Sequence, residues 1–482
     1  MKEAVFLQEV KEIQLLKNAL TLLDWDSSTG MPEKSSPFRG EVEGYLTGLY
    51  FERSIGPVIQ EALAYFETRP EELSELGKLV FEKVKEEYAL NKNVPAERMQ
   101  EYVKVLNQAH TDWLKARAAQ DFGLLEETLT KVVAFQKEFI PYWQKEEKTP
   151  YDVLLNQFEP GMTVEKLDQV FDQVKQGIQE IRTVLAEKGT PPRTDFLSRK
   201  MTKEQQRRFV IGVVEQLGYD FSKGRLDDTV HPFMTALNRN DARITTRWEE
   251  NNFSMATFGV IHEAGHGMYE QNFDPKFDFT PLSEGASMGI HESQSLFNEI
   301  IIGSNRAFWQ KQYPFFQECA EGTFDDIAFE DFYASLKETK ASLIRIDSDS
   351  LTYPLHIIIR YEIEKMLFNG SLEVADLPKV WNEKYQEYLG VSPENDLEGV
   401  LQDVHWSGGS FGYFPSYALG YMYAAQLFHA MKQELSVDEI LASEDYSDIR
   451  KWLTQHIHQY GASRKPNQLI YDATGEELNP SY

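Results

Sequence analysis

The sequence predicts a mostly α-helical protein with one small β-sheet, and three observations carry that expectation. Across the first third, apolar residues recur every three or four positions, the period of a helix that buries one face. Proline and glycine punctuate otherwise helical sequence at a few breaks, from Pro150 to Arg193. One segment breaks the period: Asp241-Ala242-Arg243-Ile244-Thr245-Thr246-Arg247-Trp248 is rich in β-branched residues and follows the turn-forming Asn238-Arg239-Asn240.

The first stripe is Val10, Ile13, Leu16, Leu20 and Leu23, and the second is Met99, Tyr102, Leu106, Ala109 and Trp113. Both are read as core-facing helices, with Pro95 suited to the first turn of the second because its missing N–H has no helical partner there. Breaks fall near Pro150, at Glu159-Pro160-Gly161 and at Gly189-Thr190-Pro191-Pro192-Arg193. The last is the expected boundary, within a single domain, between an N-terminal helical lobe of about 1–190 and a second lobe of about 191–482. No fixed-period repeat or low-complexity tract is present, which sets solenoids aside. The segment 241–248 is read as a strand placed just before the richest helix of the chain.

Composition narrows the function. The 482 residues are 41% hydrophobic, 13% aromatic and 26% charged, which argues against a disordered, collagen-like or membrane-spanning chain. Acidic residues outnumber basic ones 77 to 49, and the formal charge of -28 repels phosphate backbones and anionic membranes. Neither nucleic acid nor a membrane is an expected partner. Cys319 is the only cysteine, so an intrachain disulfide and a four-cysteine zinc site are both excluded. Charge interrupts residues 1–11 too often for a secretory signal, and the longest apolar runs, such as Ile300–Ile302 and Ile357–Ile359, are far too short to span a bilayer. A cytoplasmic location is expected.

His262-Glu263-Ala264-Gly265-His266 points to the chemistry. Residues four apart share a helix face, so both imidazoles can reach one metal ion. Glu263, beside the first histidine, can take a proton from water as a general base. Catalytic zinc takes three protein ligands, and no third histidine fits: Asn272 stands six residues after His266. The third ligand is therefore sought among Glu270, Glu284, Glu292 and Glu299. Glu270 continues the same helix, an awkward direction for closing the site. Glu292 lies after the break at Pro281 and Gly285, where a second helix can return toward the pair, and is favoured over Glu299. Imidazole and carboxylate without thiolate suit zinc, with cobalt or manganese as further possibilities.

Further motifs stand in order along the chain: Asp241-Ala242-Arg243-Ile244-Thr245, the His262–His266 motif, His291-Glu292-Ser293-Gln294-Ser295, Ile344-Arg345-Ile346-Asp347-Ser348-Asp349 and Gly399-Val400-Leu401-Gln402-Asp403-Val404-His405-Trp406. Asp24-Trp25-Asp26, Met31-Pro32, Tyr151-Asp152 and Glu159-Pro160-Gly161 join them. In this set, from about residue 20 to 430, the chain resembles the carboxypeptidase Taq family of zinc carboxypeptidases. The resemblance implies an elongated helical metallopeptidase with a deep groove and its small sheet near the active site. It also implies removal of single residues from peptide C-termini with broad side-chain tolerance, usually by a homodimer. By resemblance His262, His266 and Glu292 are the metal ligands and Glu263 the catalytic carboxylate. One departure is Ser348, where the family usually carries alanine.

A carboxypeptidase must hold a free carboxylate against a strongly negative field, which calls for arginine. Arg345 is the first choice, ahead of Arg243 and Arg360, for which a plain salt bridge is the expected role. A donor for the oxyanion is sought in Tyr417, Tyr413 and His405, in and beside the glycine-rich stretch 407–417. His231, before Pro232-Phe233, is a further groove residue, and Asp403 is expected to orient a histidine. The competing readings are a zinc oligoendopeptidase without a C-terminal anchor and a catalytically silent helical binding protein.

Overall fold

Helices open the chain where the apolar spacing calls for them. The computed structural model describes residues 1–482, the side chain of Ala96 excepted, and begins with α1 (Glu3–Thr29), which buries Phe6, Val10, Ile13 and Trp25. Then come α2 (Ser36–Ser54), α3 (Pro57–Phe66) and α4 (Glu75–Lys92), the last capped by Ser74, whose hydroxyl accepts the Gly77 N–H. Phe6, Phe66 and Phe81 centre a small apolar core for these helices, and Phe277 and Leu282 close it from far along the chain.

A larger core runs from Val94 to Leu478. It begins with α5 (Ala96–Ala119), one residue after Pro95, and α6 (Gly123–Trp143). Tyr102 and Ala109 of the second predicted stripe are buried in it, and Met99, Leu106 and Trp113 pack against its edge. Short polar caps set the next starts. Thr149 and Asp152 form a capping box on α7 (Pro150–Phe158), Thr163 caps α8 (Val164–Lys188), and Thr202 with Gln205 boxes α9 (Lys203–Leu217). The two apolar cores divide between Val84 and Val94, while the 189–193 stretch joins α8 to α9 within the larger one.

The sheet has three strands, β1 (Leu226–Asp228), β2 (Met234–Asn238) and β3 (Asp241–Thr246), in the order β1-β3-β2. β3 lies at the centre, parallel to β1 and antiparallel to β2. It ends at Thr246, two residues before the predicted end, and the Trp248 ring N–H turns back to donate to Asp228 at 2.8 Å. β1 and β2 have no counterpart in the sequence reading: three residues are too few to show a period, and β2 is half-buried along most of its length.

β3 leads into α10 (Phe253–Gln271), which carries both histidines of the motif. α11 (Met288–Leu296) returns across it and continues as a π-helical turn, Phe297–Ile302. Then follow α12 (Arg306–Cys319), α13 (Phe329–Ser335), α14 (Tyr353–Phe368), α15 (Leu377–Tyr388), α16 (Pro415–Glu434), α17 (Val437–Leu441), α18 (Ser447–His456) and α19 (Pro466–Thr474). α11 is held between α10 and α16, and glycine makes both crossings close. A Cβ on Gly265 would stand 2.5 Å from the Gln294 carbonyl oxygen, and one on Gly420 would stand 2.6 Å from Cγ of Glu292.

Candidate metal centre

The i, i+4 spacing on α10 puts His262 and His266 on one face, with ring centroids 4.9 Å apart. α11 delivers Glu292 opposite them. Its Oε1 lies 3.8 Å from His262 Nε2 and its Oε2 lies 3.4 Å from His266 Nε2. One ligand atom from each of these three residues falls within 4.8 Å of the others, an arrangement able to hold a single cation.

Outer contacts aim both rings. Glu299, in the π-helical turn, lies 2.7 Å from Nδ1 of His262, and a π turn in a functional place is a recurrent device for re-aiming a side chain. Nδ1 of His266 lies 2.6 Å from Nδ1 of His291, whose Nε2 is 2.9 Å from Oε1 of Glu270. The tautomers follow from this network. With Nε2 of each α10 histidine turned to Glu292, Nδ1–H of His262 donates to Glu299 and Nδ1–H of His266 donates to His291. His291 must then carry its proton on Nε2 and donate it to Glu270.

The electrostatics also call for a positive charge. Burial lifts Glu263 to about 7, with His262 opposing and Glu292 and Glu299 adding to the rise. Burial works against a charged His262, yet Glu292 and Glu299 outweigh it and lift that group to about 10. Among the described residues, the ion pairs of Glu292 and Glu299 are with histidines only.

Beside the triad lies a ring of phenols around a guanidinium. Arg345 donates to Asp403 through Nε at 3.0 Å and Nη2 at 2.8 Å, and to Tyr353 through Nη1 at 2.8 Å. Asp403 is shared with Arg360, and the two guanidiniums hold its carboxyl well below the usual range despite burial. The Arg345 guanidinium lies 5.8 Å from the Tyr353 ring centroid and 5.1 Å from that of Tyr417, and Tyr413 packs edge-on against Tyr417 with centroids 5.2 Å apart. Tyr417 Oη is 3.4 Å from His405 Nε2.

The family model described as carboxypeptidase Taq (M32) metallopeptidase matches residues 5–482. The chain belongs to this family. It is 47% identical over 481 residues to carboxypeptidase 1 of Bacillus subtilis (strain 168), covering 100% of this chain and 96% of that one. Thermostable carboxypeptidase 1 of Thermus thermophilus is 35% identical over 478 residues, covering 97% and 93%. Among solved structures, the M32 carboxypeptidase from Deinococcus radiodurans R1 superposes with a TM-score of 0.95 at 33% identity, covering 98% and 95%.

Within this M32 carboxypeptidase the residues named from sequence fall into distinct places. Glu292 faces the histidine pair, Glu299 and Glu270 support the rings from behind, and Glu284 pairs with Lys17 of α1. Arg243 spends its fork on Asp241 and stacks 4.4 Å over the Trp25 ring. Arg360 is fully buried against Asp403, Gln402 and Tyr385. His231 is exposed ahead of β2, without a hydrogen bond to the triad among the described residues. Asp403 differs from expectation. It serves two arginines, and its Oδ1 is 4.0 Å from His405 Nδ1, beyond hydrogen-bond reach. The sequence reading missed His291 and Glu270 as a relay, although Glu270 shares the face of His266 one turn on. It also missed Tyr353, which carries no motif.

Proposed function

We propose that the protein is a zinc-dependent carboxypeptidase that releases residues one at a time from the free C-termini of peptides. The observation that carries this reading is the convergence of Glu292 on Nε2 of His262 and His266, with Glu263 buried alongside. The donor set is imidazole and carboxylate, which suits zinc and also admits cobalt or manganese. A divalent cation bound there supplies Lewis-acid polarisation of a carbonyl and acidifies water toward neutral pH.

The chain's own groups do the rest. Glu263, not needed as a ligand, accepts a proton from the attacking water and returns it to the departing amine. Burial raises the basicity of the Glu263 carboxyl above that of an exposed glutamate, which suits it to take the proton. Of the five N–H groups of Arg345, three are spent on Asp403 and Tyr353, leaving two for a substrate carboxylate. Asp403 fixes the fork, and the buried setting strengthens each charge-assisted bond. Tyr417, Tyr413 and His405, which pack together beside this anchor, are the donors for the developing oxyanion.

Tolerance of many terminal side chains and a homodimer belong to the same reading and rest on the family resemblance. A reducing, cytoplasmic setting fits the single cysteine, Cys319, which is free and buried. The test is product analysis of a short unblocked peptide beside its C-terminal amide, with zinc supplied. Successive free amino acids are expected, released far faster from the unblocked peptide than from its amide. Internal fragments, or equal cleavage of the amide, would favour an oligoendopeptidase.

A further inference from the structure

Glu159 follows α7, in the Glu159-Pro160-Gly161 break, and takes no part in the chemistry above. Its side chain is 1% exposed, although no cation pairs with it. Oε1 accepts the N–H of Gly289, in the first turn of α11, and the hydroxyl of Ser416 at 2.9 Å, in the first turn of α16. Two helix N-termini therefore converge on one carboxylate, and each favours negative charge there. Burial still lifts the group to about 7 against Gly289, Ser416 and the nearby hydroxyl of Ser287, the residue before α11, and no formed hydrogen bond reaches its Oε2.

Such a group does little for stability. A buried carboxyl with an unbonded oxygen costs free energy that an apolar side chain of the same shape would not. What it supplies is register. Gly289 lies three residues before Glu292 and shares its face of α11, and a Cβ at Gly289 would stand 2.6 Å from Glu159 Oε1. Ser416 immediately precedes Tyr417, and Gly420, one turn further along α16, lies against the Glu292 side chain. A shift of either helix at Glu159 would move Glu292 against the histidines and Tyr417 against Arg345.

We infer that Glu159 is a positioning residue that sets α11 against α16, and through them places Glu292 and Tyr417. The inference rests on the reading of Glu292 as a metal ligand. It is tested by cobalt titration and steady-state kinetics on the full chain, comparing Glu159→Met, which removes both acceptor contacts, with Glu159→Gln, which keeps an oxygen for them. Glu159→Met is expected to weaken cobalt binding roughly 10-fold and to lower kcat more than it raises KM. Glu159→Gln is expected to stay within about 3-fold of the parent in cobalt binding, given the scatter of such effects. A merely structural role would lower the melting temperature of Glu159→Met and leave the cobalt affinity of the folded protein unmoved. Ser416→Ala, which breaks only the α16 contact and leaves the buried carboxylate in place, gives a second reading if Glu159→Met does not fold. A lower kcat is expected for it, and an unchanged kcat would overturn the inference. Glu292→Gln is the control. If it loses cobalt while Glu159→Met binds as the parent does, the positioning role is overturned and the ligand reading stands. If Glu292→Gln itself binds normally, the ligand reading falls and the inference falls with it.

Discussion

His266 and His291 meet through their Nδ1 atoms at 2.6 Å, and the Glu270 oxygen at His291 Nε2 decides which of the two rings donates. His266 keeps Nε2 free for a cation only while His291 accepts at Nδ1, and His291 can do so only while Glu270 takes its Nε2–H at 2.9 Å. His291→Phe removes the acceptor and is expected to weaken zinc binding about 10–100-fold, as loss of an outer-shell partner usually does. Glu270→Gln, which still offers an oxygen to Nε2–H, is expected to cost less. Competition against a zinc chelator measures both, and unchanged affinity in His291→Phe would contradict the relay.

In the proposed mechanism Glu263 is next to a metal ligand in sequence without being one. Glu263→Gln is therefore expected to keep its metal while kcat falls about 10²–10⁴-fold, the range for removal of a general acid–base group. Elemental analysis beside steady-state rates separates the two effects. Undiminished turnover would remove Glu263 from the mechanism.

Arg345 is held rigidly by Asp403 and Tyr353, which makes its fork geometry matter as much as its charge. Arg345→Lys keeps the charge, loses the fork, and is expected to reduce kcat/KM on unblocked peptides by at least about 10-fold, the equivalent of one charge-assisted hydrogen bond. Slow cleavage of the corresponding amides should not fall further. A parallel drop on both substrates would place Arg345 in the scaffold rather than at the substrate terminus.

His356 gives a pH signature in stability. Burial, and then the charges of Arg360 and Arg345, lower it from 6.5 to about 3, while Nδ1 is held at 2.8 Å from Tyr385 Oη. A histidine whose folded value is depressed favours folding above its unfolded value and loses that contribution as pH falls, because only the unfolded chain takes up the proton. Between pH 7 and pH 5 the parent should lose about 2 kcal/mol relative to His356→Gln, at roughly 1.4 kcal/mol per pH unit below 6.5. Urea unfolding at the two pH values measures the difference. Equal losses in both proteins would show that His356 protonates in the folded state.

The large helices and the heart of the site are written in local patterns, which is why they can be read from sequence. Val10 and Ile13, like Tyr102 and Ala109, repeat with the helical period and are buried. His262 and His266 need only one helix to face each other, and Glu292 follows from the need for a third ligand on a returning segment. The rest depends on distant partners. His291 meets His266 across 25 residues and Glu299 meets His262 across 37, with no periodic trace of either contact. Asp403 could be read as a histidine's partner because His405 is near in sequence, whereas packing gave it Arg345 and Arg360 from 58 and 43 residues away. Glu159 is marked in the sequence only by the break it sits in, and its partners lie 130 and 257 residues along the chain.

The most direct test of the central claim is anomalous scattering at the zinc edge from crystals equilibrated with zinc. One strong peak is expected, about 2.0–2.2 Å from Nε2 of His262, Nε2 of His266 and a carboxylate oxygen of Glu292. A peak held by the two histidines with Glu292 turned away, or no peak at this position, would contradict it.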